Sequence, residues 1–402
     1  SLEGPHAIGH NRYSTTGSTS MNNIQPLLAR IHSGPIAIAH NGNLVNSGIL
    51  RREFEEEGSI FQTTTDSEVI LHLIAKSRKT TLTERVAEAC NKLKGSYSFV
   101  LMSPEMLLAV RDPNGFKPLA LGKMTGSWVA ASESCAFDLI GAEYIRDVMP
   151  GEIVYIDNTG FHSKRFASSN RVTSCIFEYI YFSRPDSRIF GEFVDKTRRK
   201  LGKNLADEHP VEADIVISVP DSSNTAALGY AQRSNLKYEI GLIRNHYIGR
   251  TFIHPVETSR VENVRLKFNT VGGVLKDKRV VVVDDSIVRG TTLRNLARLI
   301  RQAGAKEVHV RVTSPPIRFA CFYGMDFPTT RELVASGRKI NEVRQILNVD
   351  SLEYLSMEKL LKSVPTDVGG YCCACFEGDY PVPIEDEVTK CAHETGPVLL
   401  NV

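Results

Sequence analysis

The spacing of apolar positions changes character midway along the chain. Up to about residue 165, short β-branched runs such as IAIAH (36 to 40) and GSYSFVLMS (from 95) are separated by Gly, Asn and Pro turns, which predicts strands. Two stretches, 47 to 57 and 66 to 76, interrupt them; in the second, Val69, Ile70, Leu73 and Ile74 recur at helical spacing. This mixture predicts a layered α+β domain over residues 1–165. From Cys175 onward the order becomes strand, loop, helix, strand, with DIVISV (214 to 219), RVVVVDD (279 to 285) and EVHVRV (307 to 312) as buried strands. That alternation predicts an α/β domain with a mainly parallel sheet over 173–355. The polar stretch from 157 to 171, with Gly160, is the expected boundary. Past Ser351 a helix, a cysteine-rich loop and a Pro-containing tail form a third segment, 356–402.

Composition narrows the class. At 402 residues the chain exceeds what one core usually serves, and 42% hydrophobic with 23% charged residues reads as soluble and globular. No apolar run is long enough to span a bilayer, so no membrane role is expected. Lysine and arginine (48) nearly balance aspartate and glutamate (46), which is too little net charge for a nucleic-acid footprint. Any phosphate must therefore be held locally. Eight cysteines, three of them at 372, 373 and 375, are too few and too uneven for a disulfide framework, and a reducing compartment with a metal site fits better. The opening SLEGPHAIGH lacks the pattern of a secretory signal. The cytoplasm is the expected location, with a plastid left open.

In VVVVDDSIVRGTTLRNLARLIRQAG a buried strand ends in two acids and a Gly-Thr-Thr turn that opens an amphipathic helix, with Leu293, Leu296, Ala297 and Ile300 on its inner face. The free N–H groups at such a helix start bind phosphate, and Gly290 allows close approach. Asp284 and Asp285 suit ribose hydroxyls and a Mg²⁺ bridging sugar to pyrophosphate. The Gly-Lys-Ser/Thr ending of a nucleotide-triphosphate loop is absent. A second strand-to-helix loop, SVPDSSNTAALGYA, carries Asp221, Ser222 and Ser223, which read equally well as a plain helix cap. Between the two lies a polar, basic stretch containing Tyr247, Arg250, Arg265 and Lys267, read as a lid or as a solvated loop.

In the first half, GHNRYSTTG (9 to 17), AHNGNLVN (39 to 46) and TTTDSEV (63 to 69) place Arg12, Asn41-Gly42 and Asp66 on successive loops. An arginine can clasp an α-carboxylate, an aspartate can take an α-ammonium, and an Asn side chain with a Gly N–H can form an oxyanion hole. Singly, Asn-Gly is a hairpin turn and Asp66 a helix cap. Farther on, Cys372 and Cys375 form a C-x-x-C unit, while Cys175 and Cys321 stand alone in apolar surroundings. Four such thiolates suit zinc or an iron–sulfur cluster.

These motifs carry a resemblance. VVVVDDSIVRGTT resembles the signature loop of the phosphoribosyltransferases, and the three N-terminal motifs resemble, in order, glutaminase domains whose nucleophile is an N-terminal cysteine. Together, from Gly9 to Pro381, they are similar to the amidophosphoribosyltransferases. The resemblance implies an N-terminal-nucleophile glutaminase domain, layered α/β/β/α, followed by a type I phosphoribosyltransferase domain. Arg12 and Asp66 would bind glutamine, with Asn41 and Gly42 as the oxyanion hole. Asp284, Asp285, Ser286, Arg289, Gly290, Thr291, Thr292, Tyr247, Arg250 and Lys267 would bind 5-phosphoribosyl-1-pyrophosphate. Ser222, Asp284 and Asp285 would hold Mg²⁺, and Cys175, Cys321, Cys372 and Cys375 a structural [4Fe-4S] cluster, leaving Cys373 as an extra thiol. The implied reaction transfers ammonia, derived from glutamine, to the sugar phosphate in the first step of purine biosynthesis. Inhibitory purine nucleotides and a homo-oligomer, dimer or tetramer, are further implications.

The family begins with its catalytic cysteine, whereas here the Gly-His-x-Arg-Tyr motif starts at Gly9. Ser1 lacks the run expected after a nucleophile. Cys90, in a helix-like segment, and Cys135, in a strand-like one, read as core. The expectation is a truncated first domain with uncovered apolar sheet surface and ammonia-dependent chemistry only. A catalytically silent regulator with the same fold and a nucleobase phosphoribosyltransferase are the alternatives.

Overall fold

The computed structural model describes residues 4–11, 20–168, 171–245, 267–325, 327, 329–367 and 369–385. Arg12, Tyr247, Arg250 and Arg265 lie outside the described residues.

In the first half, β1 (Leu27–Ile31), β2 (Gly34–Leu44), β3 (Gly95–Met102), β4 (Leu107–Arg111), β8 (Glu152–Asp157) and β9 (Gly160–Arg165) form one antiparallel sheet in the order β1-β2-β3-β4-β8-β9. A smaller antiparallel sheet, β6-β5-β7, is built from β5 (Ala120–Met124), β6 (Ser127–Ala131) and β7 (Glu143–Asp147). Three helices cover the outer face of the large sheet: α1 (Ser47–Glu56), α2 (Ser67–Lys76) and α3 (Leu82–Lys92). Strand alternation decides which side chain goes where. Leu108 and Val110 of β4 pack under the helices, while Ala109 between them meets Leu119 and Leu121 beneath the small sheet. With α4 (Cys135–Ile140) against β6 and β7, the layers run α/β/β/α.

Local structure adds to the sequence reading and in one place corrects it. The helix α3 starts from a capping box between Thr81 and Glu84, a T-x-x-E signal present in the sequence and not used above. Cys135 opens a helix rather than lying in a strand. Within the polar stretch from 157 to 171, β9 ends at Arg165 and pairs with β8 along its whole length; its polar residues are those of an edge strand open to water.

The second half follows a turn of π-helix at Glu178–Phe182, β10 (Thr173–Cys175) and a hairpin of β11 (Arg188–Ile189) and β12 (Glu192–Phe193). Its sheet is parallel throughout, in the order β14-β13-β17-β18-β19, from β13 (Ile215–Ser218), β14 (Lys237–Tyr238), β17 (Arg279–Asp284), β18 (Glu307–Val312) and β19 (Ser351–Tyr354). A short antiparallel pair, β15 (Leu242–Arg244) and β16 (Phe268–Thr270), stands beside it. β19 precedes the helix expected in segment 356–402, which is present at Met357–Leu361, and was not itself read from the sequence. Only four residues long and at the sheet edge, it gives little periodic signal.

Helices α5 (Val194–Glu208) and α6 (Asn224–Ser234) cover one face; the single turn α7 (Gly272–Leu275), α8 (Thr291–Gln302) and α9 (Ile340–Leu347) cover the other. In β17, Val281 and Val283 join the α5–α6 core and Val280 and Val282 the α8–α9 core, all four fully buried. Each contributes about 1.5–3 kcal/mol of burial, which is why the run is uninterruptedly apolar. The chain leaves β13 toward β14 on one side and returns at β17 on the other. The carboxyl ends of β13 and β17 therefore flank a topological switch point, where open α/β sheets bind ligands. The short helices α10 (Met357–Leu361) and α11 (Ala374–Glu377) and strand β20 (Gly370–Cys372), parallel to β10, complete the described chain.

Candidate active site

At the switch point the two loops meet. Asp284 ends β17 and Asp285 follows it, both buried. Ser222 Oγ, from the loop after β13, donates to Asp285 Oδ2 at 2.5 Å, and Ser286 Oγ donates to Oδ1 at 2.6 Å. Ser223 Oγ donates to Asp284 Oδ1 at 3.3 Å, and the Asp285 peptide N–H to the same oxygen at 2.9 Å. Burial, then the charge of Asp285, pushes the Asp284 carboxyl well above the usual range. Burial also raises Asp285, against the pull of its hydroxyl donors and of Arg198. Burial thus disfavours the charged form of both acids, a cost that a bound cation would offset. The buried Arg198, which donates to the carbonyls of Tyr179 and Ser183 at 2.7 Å, was not singled out from sequence. An arginine on an amphipathic helix carries no signal of facing inward.

Five residues farther along, Gly290 turns the chain with φ +75°, and α8 begins at Thr291. The N–H groups of the first helical turn are left without intrahelical acceptors at the carboxyl edge of the sheet. Thr291 is half-buried and Thr292 exposed. The Arg289 guanidinium points to Glu332, 2.7 Å away. Exposed Lys267 lies immediately before β16, and its carbonyl accepts from Asn245 N at 2.9 Å. No three His, Cys, Asp or Glu side chains among the described residues converge tightly enough to hold a single metal ion. A Mg²⁺ at Asp284 and Asp285 would take most of its ligands from substrate oxygens and water, as that ion commonly does.

In the first half, Asn41 and Gly42 pair with Ser98 and Tyr97 of β3. Gly42 has φ +148°, and a Cβ there would lie 2.1 Å from the Ser96 carbonyl oxygen, so no other residue fits. Asp66 stands at the N-cap of α2 without capping it; its Oδ2 accepts instead from Leu44 N at 2.9 Å. The carboxylate is thereby tied to the strand that carries Asn41 and Gly42. Beneath them, His40 Nδ1 lies 3.0 Å from Ser67 Oγ, which accepts from Gln25 Nε2 at 3.1 Å, while Gln25 Oε1 accepts from His40 N at 2.7 Å. His10, from the Gly-His-x-Arg-Tyr motif, reaches the His40 carbonyl at 3.1 Å. This buried polar network was not anticipated. Alternation along β2 is the signal that places His40 opposite Asn41, toward α2.

Cys175 of β10 is in register with Cys372 of β20. With Cys321 and Cys375 they line one cavity, otherwise walled by Phe116, Phe177, Tyr323 and neighbouring apolar side chains. Cys373 lines a separate cleft beside Arg171 and Glu377. Burial raises all five thiols, Cys175 to about 12. The four thiols share the cavity without converging closely enough to hold one ion.

A glutamine-reading half and a phosphoribosyl-reading half in one chain define an enzyme class that couples amide nitrogen to a sugar phosphate. Comparison with known proteins agrees. The glutamine amidotransferase domain family matches residues 10–138 and the phosphoribosyl transferase domain family residues 192–314. The chain is 50% identical to amidophosphoribosyltransferase 2, chloroplastic, of Arabidopsis thaliana over 391 residues, 97% of this chain and 70% of that protein. It is 49% identical to the Bacillus subtilis amidophosphoribosyltransferase over 388 residues, 95% of this chain and 82% of that protein. The solved glutamine phosphoribosylpyrophosphate amidotransferase of B. subtilis, complexed with ADP and GMP, superposes with a TM-score of 0.89 at 48% identity, covering 96% of this chain and 85% of that one. The chain belongs to the amidophosphoribosyltransferase family.

Proposed function

We propose that this chain transfers ammonia to C1 of 5-phosphoribosyl-1-pyrophosphate, releasing pyrophosphate and forming 5-phosphoribosylamine for purine synthesis. The observation that carries the reading is the buried Asp284–Asp285 pair at the switch point, followed by the Gly290 turn at the start of α8. The acids take the ribose diol, the N–H groups at Gly290, Thr291 and Thr292 take the 5-phosphate, and together they fix C1 over the sheet edge. Mg²⁺, when bound, offsets charge on the pyrophosphate. The C1–O bond breaks with its electron pair leaving on pyrophosphate, a C1–N bond forms, and the ammonia nitrogen gives up one proton. Lys267, with Tyr247 and Arg250 outside the described residues, would bind the sugar pyrophosphate.

Glutamine is the nitrogen source for which Arg12, Asp66, Asn41 and Gly42 provide the groups. Asp66 receives the α-ammonium and the Asn41–Gly42 pair the tetrahedral oxyanion. Purine nucleotides as inhibitors fit a site that reads a ribose phosphate; the related B. subtilis structure contains ADP and GMP. The four-cysteine cavity supports a [4Fe-4S] cluster bridging β10, β20 and the chain around Cys321, a structural role, in a homo-oligomeric enzyme.

Pyrophosphate release is the test, measured with Mg²⁺ and the sugar pyrophosphate and either an ammonium salt at alkaline pH or glutamine. Turnover with ammonia is the expected result. A folded chain that binds the sugar phosphate and releases nothing with either donor refutes the reading.

A further inference from the structure

The backbone from 321 to 325 runs between the cysteine cavity and the glutamine-reading strand, with its residues divided by alternation. Cys321, Tyr323 and Met325 line the cavity. At 322 and 324 it is the backbone that meets β2, while the Phe322 ring packs 5.1 Å from that of Tyr380. The Phe322 carbonyl accepts from Asn43 Nδ2 at 2.9 Å. Gly324, with φ +102°, lies so close to Gly42 that a Cβ on it would be 3.2 Å from the Gly42 carbonyl carbon. The segment is gripped on its cavity side as well. The Tyr323 ring stacks on Phe116 at 4.5 Å and packs with Val45, just past β2, and its hydroxyl donates to the Val382 carbonyl at 2.6 Å.

We infer that residues 321 to 325 are a brace through which the occupant of the cysteine cavity positions the Asn41–Gly42 oxyanion strand, with Asn43 as a positioning residue. The inference rests on the reading of that cavity as a cluster site and of Asn41–Gly42 as the oxyanion hole. The physical reason is reach. An oxyanion hole works only when its donors hold a fixed position, and Gly42 is tethered on one side by β3 and on the other by this segment. Coordination of Cys321 would anchor the segment from behind. An empty cavity leaves the Cys321 sulfur held by packing and by the peptide N–H groups of Tyr323, at 3.4 Å, Gly324 and Met325.

Hydrogen exchange of the backbone amides at 41–44 reads this directly, without requiring catalysis. The purified chain is compared with its iron-chelated form, with Cys321→Ser and with Asn43→Ala, using the amides at 280–283 as the control for a folded transferase half. Chelation and Cys321→Ser are expected to speed exchange at 41–44 about tenfold, the effect of losing one hydrogen bond's worth of restraint, while 280–283 stay protected. Asn43→Ala is expected to do the same with the visible absorption of the cluster unchanged. Unaltered exchange at 41–44 in Cys321→Ser, with 280–283 protected, overturns the brace. A purified chain without iron or visible absorption refutes the cluster reading instead, and the brace is then decided by the Cys321→Ser and Asn43→Ala exchange alone.

Discussion

Lys117 Nζ and Glu178 Oε1 lie 2.9 Å apart, and both side chains are sealed from solvent. Lys117 belongs to the first half of the chain and Glu178 to the π-helical turn of the second. Ser183 Oγ donates to the other Glu178 oxygen at 2.8 Å, and the ammonium sits 5.0 Å from the centre of the Phe182 ring. Burial alone would lower the lysine pKa, but the charge of Glu178 outweighs it and holds the ammonium above its ordinary range. A buried pair adds little net stability, yet a lone buried charge is expensive. Lys117→Met is therefore expected to cost about 3–5 kcal/mol in denaturant unfolding. The double variant with Glu178→Gln should recover most of it; no recovery would mean that packing, not charge, sets the loss.

Stability should also depend on pH through Asp112. Its carboxylate accepts from the peptide N–H groups of Tyr97, Gly115 and Phe116, yet complete burial pushes it up to about 6. The native pKa lies above the unfolded value, so the folded chain holds this proton more tightly. Its contribution is full below about pH 4, falls as pH rises to about 6, and is level above, with a span of about 3 kcal/mol. Asp112→Asn loses one acceptor at every pH and should lose this slope. Unfolding free energies of the two proteins, compared from pH 4 to 7, would show parallel curves if Asp112 titrates normally.

The acid pair at the switch point has the same sign. Its ionised form is held under burial, so Asp284→Asn should raise the unfolding midpoint of the ligand-free chain, by roughly 2–4 °C per kcal/mol relieved, while lowering ammonia-dependent transfer by roughly two to three orders of magnitude. Mg²⁺ with the sugar pyrophosphate should stabilise the parent and not the variant. Thermal melts with and without ligand decide this, and equal stabilisation of both would remove Asp284 from the binding site.

Cys372 and Cys373 are adjacent and face different spaces. Cys372→Ser is expected to lose iron and visible absorption on purification, and Cys373→Ser to retain both. The reverse pattern would shift the ligand set by one residue.

Much of this was legible because it is contiguous. The strand, acids, glycine turn and helix from 279 to 302 lie in one run, so pattern and chemistry point to the same element. The cover of the large sheet was read only in part, since α3 depends on the Thr81–Glu84 cap and its polar face conceals a narrow apolar stripe. The pairs that hold the two halves together were not legible. Asn43 and Phe322 are 279 positions apart, and Lys117 and Glu178 are 61 apart. Nothing local in either partner announces the other. Asp66 illustrates the limit within one motif: its position at a helix start was evident, but its use of Leu44 N rather than its own helix depends on where β2 ends.

The valines of β17 alternate between two cores, as Val216 and Ile217 of β13 also do. A strand shared this way cannot let one helical layer melt while the other persists, because either loss exposes half of the same four side chains. The transferase half should therefore lose its sugar-phosphate affinity and its secondary structure in a single transition, with no partly unfolded form that still binds.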